Sequence, residues 1–448
     1  MKIEVNDLKW VNGMKIGTFI CACALFSLMG CAASEVILPG DRHTLDGIKP
    51  RAARFVIENI PSLRLSTATR NKEWTHQGGN AQHNPGHLEL GEVLELQWTA
   101  SVGAGNDRKY QISSSPIVRG GLIFTLDSKV TLSATDLNGS VLWQKNLAAD
   151  ITDHEDVSGG GIAVVGDKVF ATTGFGAVLA LDVKTGNEIW RQNLSSFGSS
   201  SPTVYRGLLY LSARDGAAWA IDAETGRVKW QVTGPEVLSS IVGGPGPAVT
   251  SKWALFPFGS GEVFSTFRKG GLRNWASVLS GARLGRASAQ VTDLSGQPVI
   301  DGERVYLANS AGRMVALDLD DGRRIWTSKH GSQGTLTLGG RSLFSVNDEG
   351  LLLRLSADDG ALLWSTPLPH FTKKDVKKRS KIYVHYGPIL AGGRLIIMSS
   401  DGQMREFNPF DGSLLKQTKL PAPAASGPVV VDGTLYMISI KGDLLAFR

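Results

Sequence analysis

The sequence predicts an all-β fold, an eight-bladed β-propeller with four-stranded blades, its ring closed by an N-terminal strand pairing with the C-terminal strands. Three observations predict it. A unit reading Ala-x-Asp, then Gly, then Trp recurs along the chain. The tryptophans at its end are spaced by 38 to 52 residues, which suits a blade of four strands. Past residue 60 no segment carries the apolar period of an amphipathic helix. Short β-branched and aromatic runs alternate there with Gly, Asp and Asn instead.

Five copies of the unit align directly. They run from Ala134-Thr135-Asp136 to Trp143, Ala180-Leu181-Asp182 to Trp190, Ala220-Ile221-Asp222 to Trp230, Ala316-Leu317-Asp318 to Trp326, and Leu355-Ser356-Ala357 to Trp364. A glycine stands four residues before each tryptophan: Gly139, Gly186, Gly226, Gly322 and Gly360. Two degenerate copies keep the frame, one through Gly271 to Trp275, the other from Glu406-Phe407-Asn408 through Gly412 to Lys416. Each copy reads as strand, turn, strand. Glycine takes the turn because positive φ costs it nothing, and the aspartate is placed to accept bonds from turn amides. The small alanine is expected to leave room for the indole.

The tryptophan series is Trp98, Trp143, Trp190, Trp230, Trp275, Trp326 and Trp364, with Lys416 eighth. Seven of the eleven tryptophans thus share one repeat position, which marks them as core rather than as ligand platforms. The chain ends at Leu444–Arg448, an Ala-containing strand that stops before its tryptophan. The segment Val93–Trp98 supplies the missing strand, so closure ties the two ends of the ring together.

The N-terminus reads as an address. Residues 16–30 are uncharged and mostly apolar, preceded by Lys15, too short for a comfortable membrane span and suited to a secretory signal. Met14 gives this signal a tidier start than Met1, since residues 1–13 add two acids. The stretch ends in Leu28-Met29-Gly30-Cys31, which resembles a bacterial lipobox, whose cysteine thiol takes the diacylglycerol. Lipidation at Cys31 is the expectation, with Ala32 directing the chain to the outer membrane, facing the periplasm. The expected organisation is a signal over 1–30, a lipidated tether over 31–73 and the propeller over 74–448. A short helix is expected within residues 51–58. All three cysteines, Cys21, Cys23 and Cys31, lie in the N-terminal part, so the body has no cysteine for a disulfide or metal site.

The repeat resembles the PQQ-type propeller repeat. Quinoprotein dehydrogenases share it with the BamB family of outer-membrane assembly lipoproteins. The resemblance spans residues 74–448. Trp74-Thr75-His76-Gln77-Gly78-Gly79-Asn80 is similar to the opening segment of BamB-like proteins. Gly105–Lys109, Ser158–Gly161 and His385–Pro388 are similar to their alphaproteobacterial form. A quinoprotein needs a catalytic aspartate and Ca²⁺ held by oxygen ligands, and often carries adjacent cysteines or a haem motif. The cysteine-free body and the lipobox favour the scaffold: no catalytic residue, no cofactor and no metal site. The alternative is a PQQ-dependent dehydrogenase or another small-molecule-binding propeller of this repeat.

The resemblance implies partners: the POTRA domains of BamA, further members of the BAM complex and unfolded outer-membrane proteins, with the chain a monomer in a hetero-complex. It places one BamA-contacting loop at Ser239–Gly243, where Ile241 matches an apolar position and Val242 replaces an arginine. A second falls at Val291–Ser295, where Asp293 matches an aspartate and Ser295 replaces another.

Other features read as ordinary structure. His76, His83 and His87 are close in sequence, but Pro85 breaks the helix a metal pair at His83 and His87 would need. Asp153–Asp156 reads as a solvated acidic turn. Residues 373–381 hold six basic side chains with no interleaved aromatics, unlike a nucleic-acid groove, and read as a solvated loop or a contact with acidic protein or anionic lipid. The formal charge of +6, of which residues 1–30 supply +1 (three Lys less two acids), is too mild to imply nucleic acid.

Overall fold

The computed structural model describes residues 54–448 except 149–158, 195–199, 214, 236–243, 280, 282–292 and 376–377. Among the described residues, eight sheets built on four antiparallel strands follow one another along the chain. Blade 1 spans residues 117–146, blade 2 160–193, blade 3 203–233, blade 4 248–278, blade 5 299–328, blade 6 337–367 and blade 7 385–419. Blade 8 takes three strands from residues 429–447 and its fourth from Leu96–Ser101, as the sequence predicts. First strands are buried and form the inner rim. Fourth strands form the outer rim, and Val141–Asn146 exposes every residue except half-buried Trp143.

Strand register explains the repeat. In blade 1, Phe124, Ala134 and Trp143 lie side by side on strands two, three and four. The indole reaches over the alanine to the aromatic ring, with centroids 6.1 Å apart. Trp190 meets Phe170, Trp230 meets Tyr210, Trp326 meets Tyr306 and Trp98 meets Tyr436 at 6.0 to 6.1 Å. Such tilted pairs add to the burial of the rings themselves. The alanine is not a strict steric need. The register places Arg354 opposite Trp364, so Arg354-Leu355-Ser356 takes the place that Leu355-Ser356-Ala357 was expected to hold. Phe344 and Trp364 still approach to 6.2 Å, because the Arg354 side chain turns away to Ser342 Oγ and the carbonyls of Phe410 and Pro61.

The indole also joins blade to blade. A Cβ added at Gly322 would lie 2.5 Å from Trp275 Cδ2. Gly139, Gly186, Gly226, Gly271, Gly360 and Gly412 stand the same way against Trp98, Trp143, Trp190, Trp230, Trp326 and Trp364. Each indole N–H then donates to a carbonyl in the same turn, Trp98 to Leu137 at 2.9 Å and Trp275 to Leu319 at 3.0 Å. Trp230 departs from this: the carbonyl of Arg268 in its turn accepts the Tyr210 hydroxyl at 3.1 Å, and the Trp230 N–H has no partner in the protein. The aspartates behave as expected, with Asp182 Oδ1 accepting from the amides of Lys184 and Thr185 at 3.0 and 2.8 Å.

The seam between blades 7 and 8 has Lys416 where an indole belongs, and Glu406 where the alanine belongs. Glu406 is buried and pairs with buried Arg394. Arg394 Nη2 donates to the carbonyls of Gly91 and Glu92 at 2.5 and 3.3 Å. An ion pair thus grips the backbone that leads into the closing strand. Glu95 and Arg448 exchange both backbone bonds at 3.0 Å.

The N-terminal boundary differs from expectation. Ala52–Arg448 forms one unit, and residues 54–73 lie on the propeller rather than in a tether. Phe55–Val56 is a strand, not part of a helix, and adds a fifth strand to blade 6 with Val56 opposite Trp364. That strand covers Trp364, which is fully buried, whereas Trp98 and Trp143 are partly open. Leu63 and Leu65 pack onto the core shared by blades 6 and 7.

Gly322 combines φ of +74° with contact to the indole. Gly322→Val is expected to cost about 2–4 kcal/mol. Gly302→Ala, at φ +59° with open space around it, is expected to cost about 1 kcal/mol. Thermal unfolding of both variants checks the difference.

Candidate functional site

A propeller of this kind offers two places for function, the mouth of its axis and the loops joining its blades. The mouth is already bonded to the chain's own residues 71–90. Trp74 exchanges backbone bonds with Val118 of blade 1 at 2.7 and 2.9 Å. The amide of Val164 in blade 2 donates to Thr75 O at 2.9 Å, Val249 in blade 4 to Ala81 O at 2.8 Å, and Ile300 in blade 5 to Gln82 O at 3.0 Å. In blade 3 the Val204 amide donates to His76 Nε2 at 3.1 Å. Leu88 donates to Leu390 O of blade 7 at 3.1 Å, and Asn71 Nδ2 to Val430 O of blade 8 at 3.2 Å. The first-strand edges of seven blades, all but blade 6, thus each meet a polar group of this segment.

Local chemistry shapes this strap. Gly78 and Gly79 have φ of +79° and +98° and turn the chain back so that the Gly79 amide meets His76 O at 2.9 Å. Asn80 then folds the next turn, Oδ1 accepting from Gln82 N at 2.9 Å and Nδ2 donating to Asn84 O at 2.8 Å. The histidines are structural, as expected. His83 Nδ1 bonds Pro298 O at 2.8 Å, and His87 bonds Ser66 O and the Gly393 amide at 2.7 and 2.9 Å.

Beneath the strap lies a cavity of about 220 Å³ lined by Trp74, Gln77, His83, Gln297, Gln333 and Tyr386 among others. Its described lining contains no carboxylate, lysine or arginine. A quinone cofactor held with Ca²⁺ needs carboxylate ligands and basic partners for its own acid groups; the residues present do not fit that group. No cluster of three His, Cys, Asp or Glu suited to a metal occurs among the described residues.

The residues singled out in the sequence fall unevenly. Cys31, Ile241, Val242 and the acidic turn Asp153–Asp156 lie outside the described residues. Asp293 is described and buried, at 5% exposure. Its neighbours are stitched to blade 5, Leu294 bridging Asn309 and Ser295 N–H donating to Ala308 O at 3.2 Å. Sequence reading missed the strap, whose bonds are mostly made by backbone. A signal was available in its Gly-Gly-Asn turn and three histidines.

Burial lowers the pKa of His76 to about 3, and of His83 and His385 to about 4, from the ordinary 6.5. For His76 the neighbouring His83 adds to the effect. The fold therefore prefers the neutral rings. Above about pH 6.5 both folded and unfolded chains carry them neutral and the stabilisation is complete. As pH falls from 6.5 toward 4, the unfolded chain takes up protons first and stability drops, by about 3 kcal/mol for each of His83 and His385 once the window is crossed. Urea midpoints measured from pH 7 to 4 are expected to fall accordingly. His83→Gln, which keeps a donor for Pro298 O, should flatten the slope.

Comparison with known proteins agrees with this architecture. The family model described as outer membrane protein assembly factor BamB matches residues 127–366 and 310–448, well over half of the chain. The BamB of Yersinia pestis is 24% identical over 356 residues, covering 78% of this chain and 88% of that protein. The crystal structure of BamB from Moraxella catarrhalis superposes with a TM-score of 0.65 at 19% identity, over 80% of this chain and 100% of that one. The quinohemoprotein alcohol dehydrogenase of Comamonas testosteroni superposes with a TM-score of 0.63 at 14% identity, over 85% of this chain and 81% of that one. Such superpositions share the fold alone. The chain belongs to the outer membrane protein assembly factor BamB family.

Proposed function

We propose that this chain is a non-enzymatic scaffold lipoprotein of outer-membrane β-barrel assembly. It is anchored through Cys31 after removal of a signal over residues 1–30, faces the periplasm and docks on the POTRA domains of BamA as one copy within the BAM complex. One observation carries the non-enzymatic reading: the axial mouth is bonded to the chain's own backbone above a cavity whose described lining has no carboxylate, lysine or arginine. A dehydrogenase of this repeat class would need that place open and charged. Membership in the BamB family supports the assembly complex as the partner.

The docking loops follow blades 3 and 4. Ile241 and Val242 present an apolar contact to BamA. Asp293, being buried, acts by fixing the second loop against blade 5 rather than by meeting the partner. A second, weaker role is strand addition to unfolded barrel precursors. Phe55–Val56 on blade 6 is an intramolecular instance of such pairing. The outer strands of blades 1, 3 and 7 expose Leu142, Val228, Leu414 and Leu415.

Affinity-tagged chain drawn from detergent-solubilised envelopes is expected to bring BamA with it. Val242→Asp should lower the recovered BamA about tenfold, worth about 1.4 kcal/mol, without changing the melting temperature. Cys31→Ala should release the chain from the membrane fraction. Wild-type chain that recovers no BamA under mild conditions overturns the docking, and unchanged recovery with Val242→Asp removes that loop from the interface.

A further inference from the structure

Blades 6 and 7 are joined by a projecting hairpin. Phe371 bridges Ile382, the Thr372 amide donates to Lys381 O at 3.0 Å, and the Tyr383 amide donates to His370 O at 2.6 Å. A buried network holds its root. His385 donates from Nε2 to Pro369 O at 2.6 Å and accepts from Ser399 Oγ at Nδ1 at 2.7 Å, the one tautomer that satisfies both partners. Ser399 Oγ accepts from Arg405 Nη1 at 3.2 Å, and Arg405 is paired with Asp401 at 2.5 Å. A merely solvated loop needs no such clamp.

The projecting part carries Lys373, Lys374, Lys378, Arg379 and Lys381, all exposed. Asp375 stands among them, 3.8 Å from Lys378. Arg379 lies over the Phe371 ring at 5.0 Å. Beside the cations, Ile382 and Val384 expose 44% and 41% of their surface. Cations flanked by exposed aliphatic groups are suited to a bilayer interface, where phosphates meet the charges and acyl chains meet the aliphatics.

The path of the chain points the same way. Phe55 and Val56 run antiparallel to Leu362–Pro367, opposite Ser365 and Trp364. Traced back toward the N-terminus, the chain therefore advances along that strand toward the root of the hairpin. Cys31 lies 23 positions before Arg54, at most about 80 Å of chain.

We propose that the basic hairpin between blades 6 and 7 rests on the anionic phospholipid surface to which the chain is tethered, and so sets the orientation of the propeller to the membrane. This contact takes its setting from the anchored arrangement proposed above, but its test leaves the anchor out, so the two fail separately. The chain from residue 32 onward, which lacks the apolar stretch over residues 16–30 and the lipid site and contains no cysteine, carries Ser380→Cys bearing an environment-sensitive fluorophore. It is titrated with vesicles of phosphatidylcholine, with and without phosphatidylglycerol. The expected result is a blue shift on the anionic vesicles, an apparent affinity about tenfold above that for the neutral ones, and loss of that preference at high salt. Lys373→Glu, Lys374→Glu and Lys381→Glu together should abolish the preference. Ile382→Ser with Val384→Ser should keep it and reduce the shift. An equal response on both vesicles, insensitivity to salt, or a full response in the charge-reversed chain overturns the proposal. A response to polyglutamate without one to anionic vesicles overturns it in favour of an acidic protein surface.

Discussion

An indole laid on a glycine turn is the contact on which the ring depends. Each repeat tryptophan covers an aromatic ring or a leucine of its own blade and then presses on a turn of the next. The receiving residue has no Cβ and sits at positive φ, so one glycine serves both the turn and the approach. The hydrogen bond from the indole to a turn carbonyl fixes the rotation between blades. Seven seams place an indole on a glycine in this way, and in six of them the indole N–H also donates to a carbonyl of that turn. The eighth, where the chain ends meet, substitutes the Arg394–Glu406 pair, which holds the backbone of Gly91 and Glu92. Breaking a buried pair of that kind typically costs about 3–5 kcal/mol, so closure is guarded by a contact that fails steeply.

A ring held so firmly has consequences for function. Its blades have little freedom to close on a substrate, and its inner rim is occupied by residues 71–90, which visit blade after blade. What remains available is the loop surface and the outer strands. Those are features of a platform that positions partners, in keeping with the family to which the chain belongs. The same scaffold carries a dehydrogenase in Comamonas testosteroni, so fold alone decides nothing about chemistry.

The propeller was legible in the sequence because its determinants recur. Tryptophan, glycine and aspartate at fixed offsets reveal a blade, and a missing tryptophan after Ala446 reveals how the ring closes. The strap and the strand Phe55–Val56 were not legible. They meet the body one or two residues at a time, at irregular spacing from blade to blade, so no period betrays them. The copy at Leu355-Ser356-Ala357 was placed one residue out of register because Arg354 stands where the unit has its alanine. The histidines were read correctly as structural, but their burial could not be seen without the inner strands they face. The positions Ile241, Val242 and Asp293 rest on family likeness alone; Asp293 is buried in the isolated chain, which favours the supporting part proposed for it.

The axial mouth is lined by the chain's own residues 71–90, and the proposed function has partners met by the loops. Titration calorimetry on one purified preparation tests it most directly, with the periplasmic domains of BamA as one titrant and PQQ with Ca²⁺ as the other. The account predicts saturable heat from BamA and none from the cofactor. Saturable binding of PQQ and Ca²⁺ followed by dye-linked alcohol oxidation, with no heat from BamA, would contradict it.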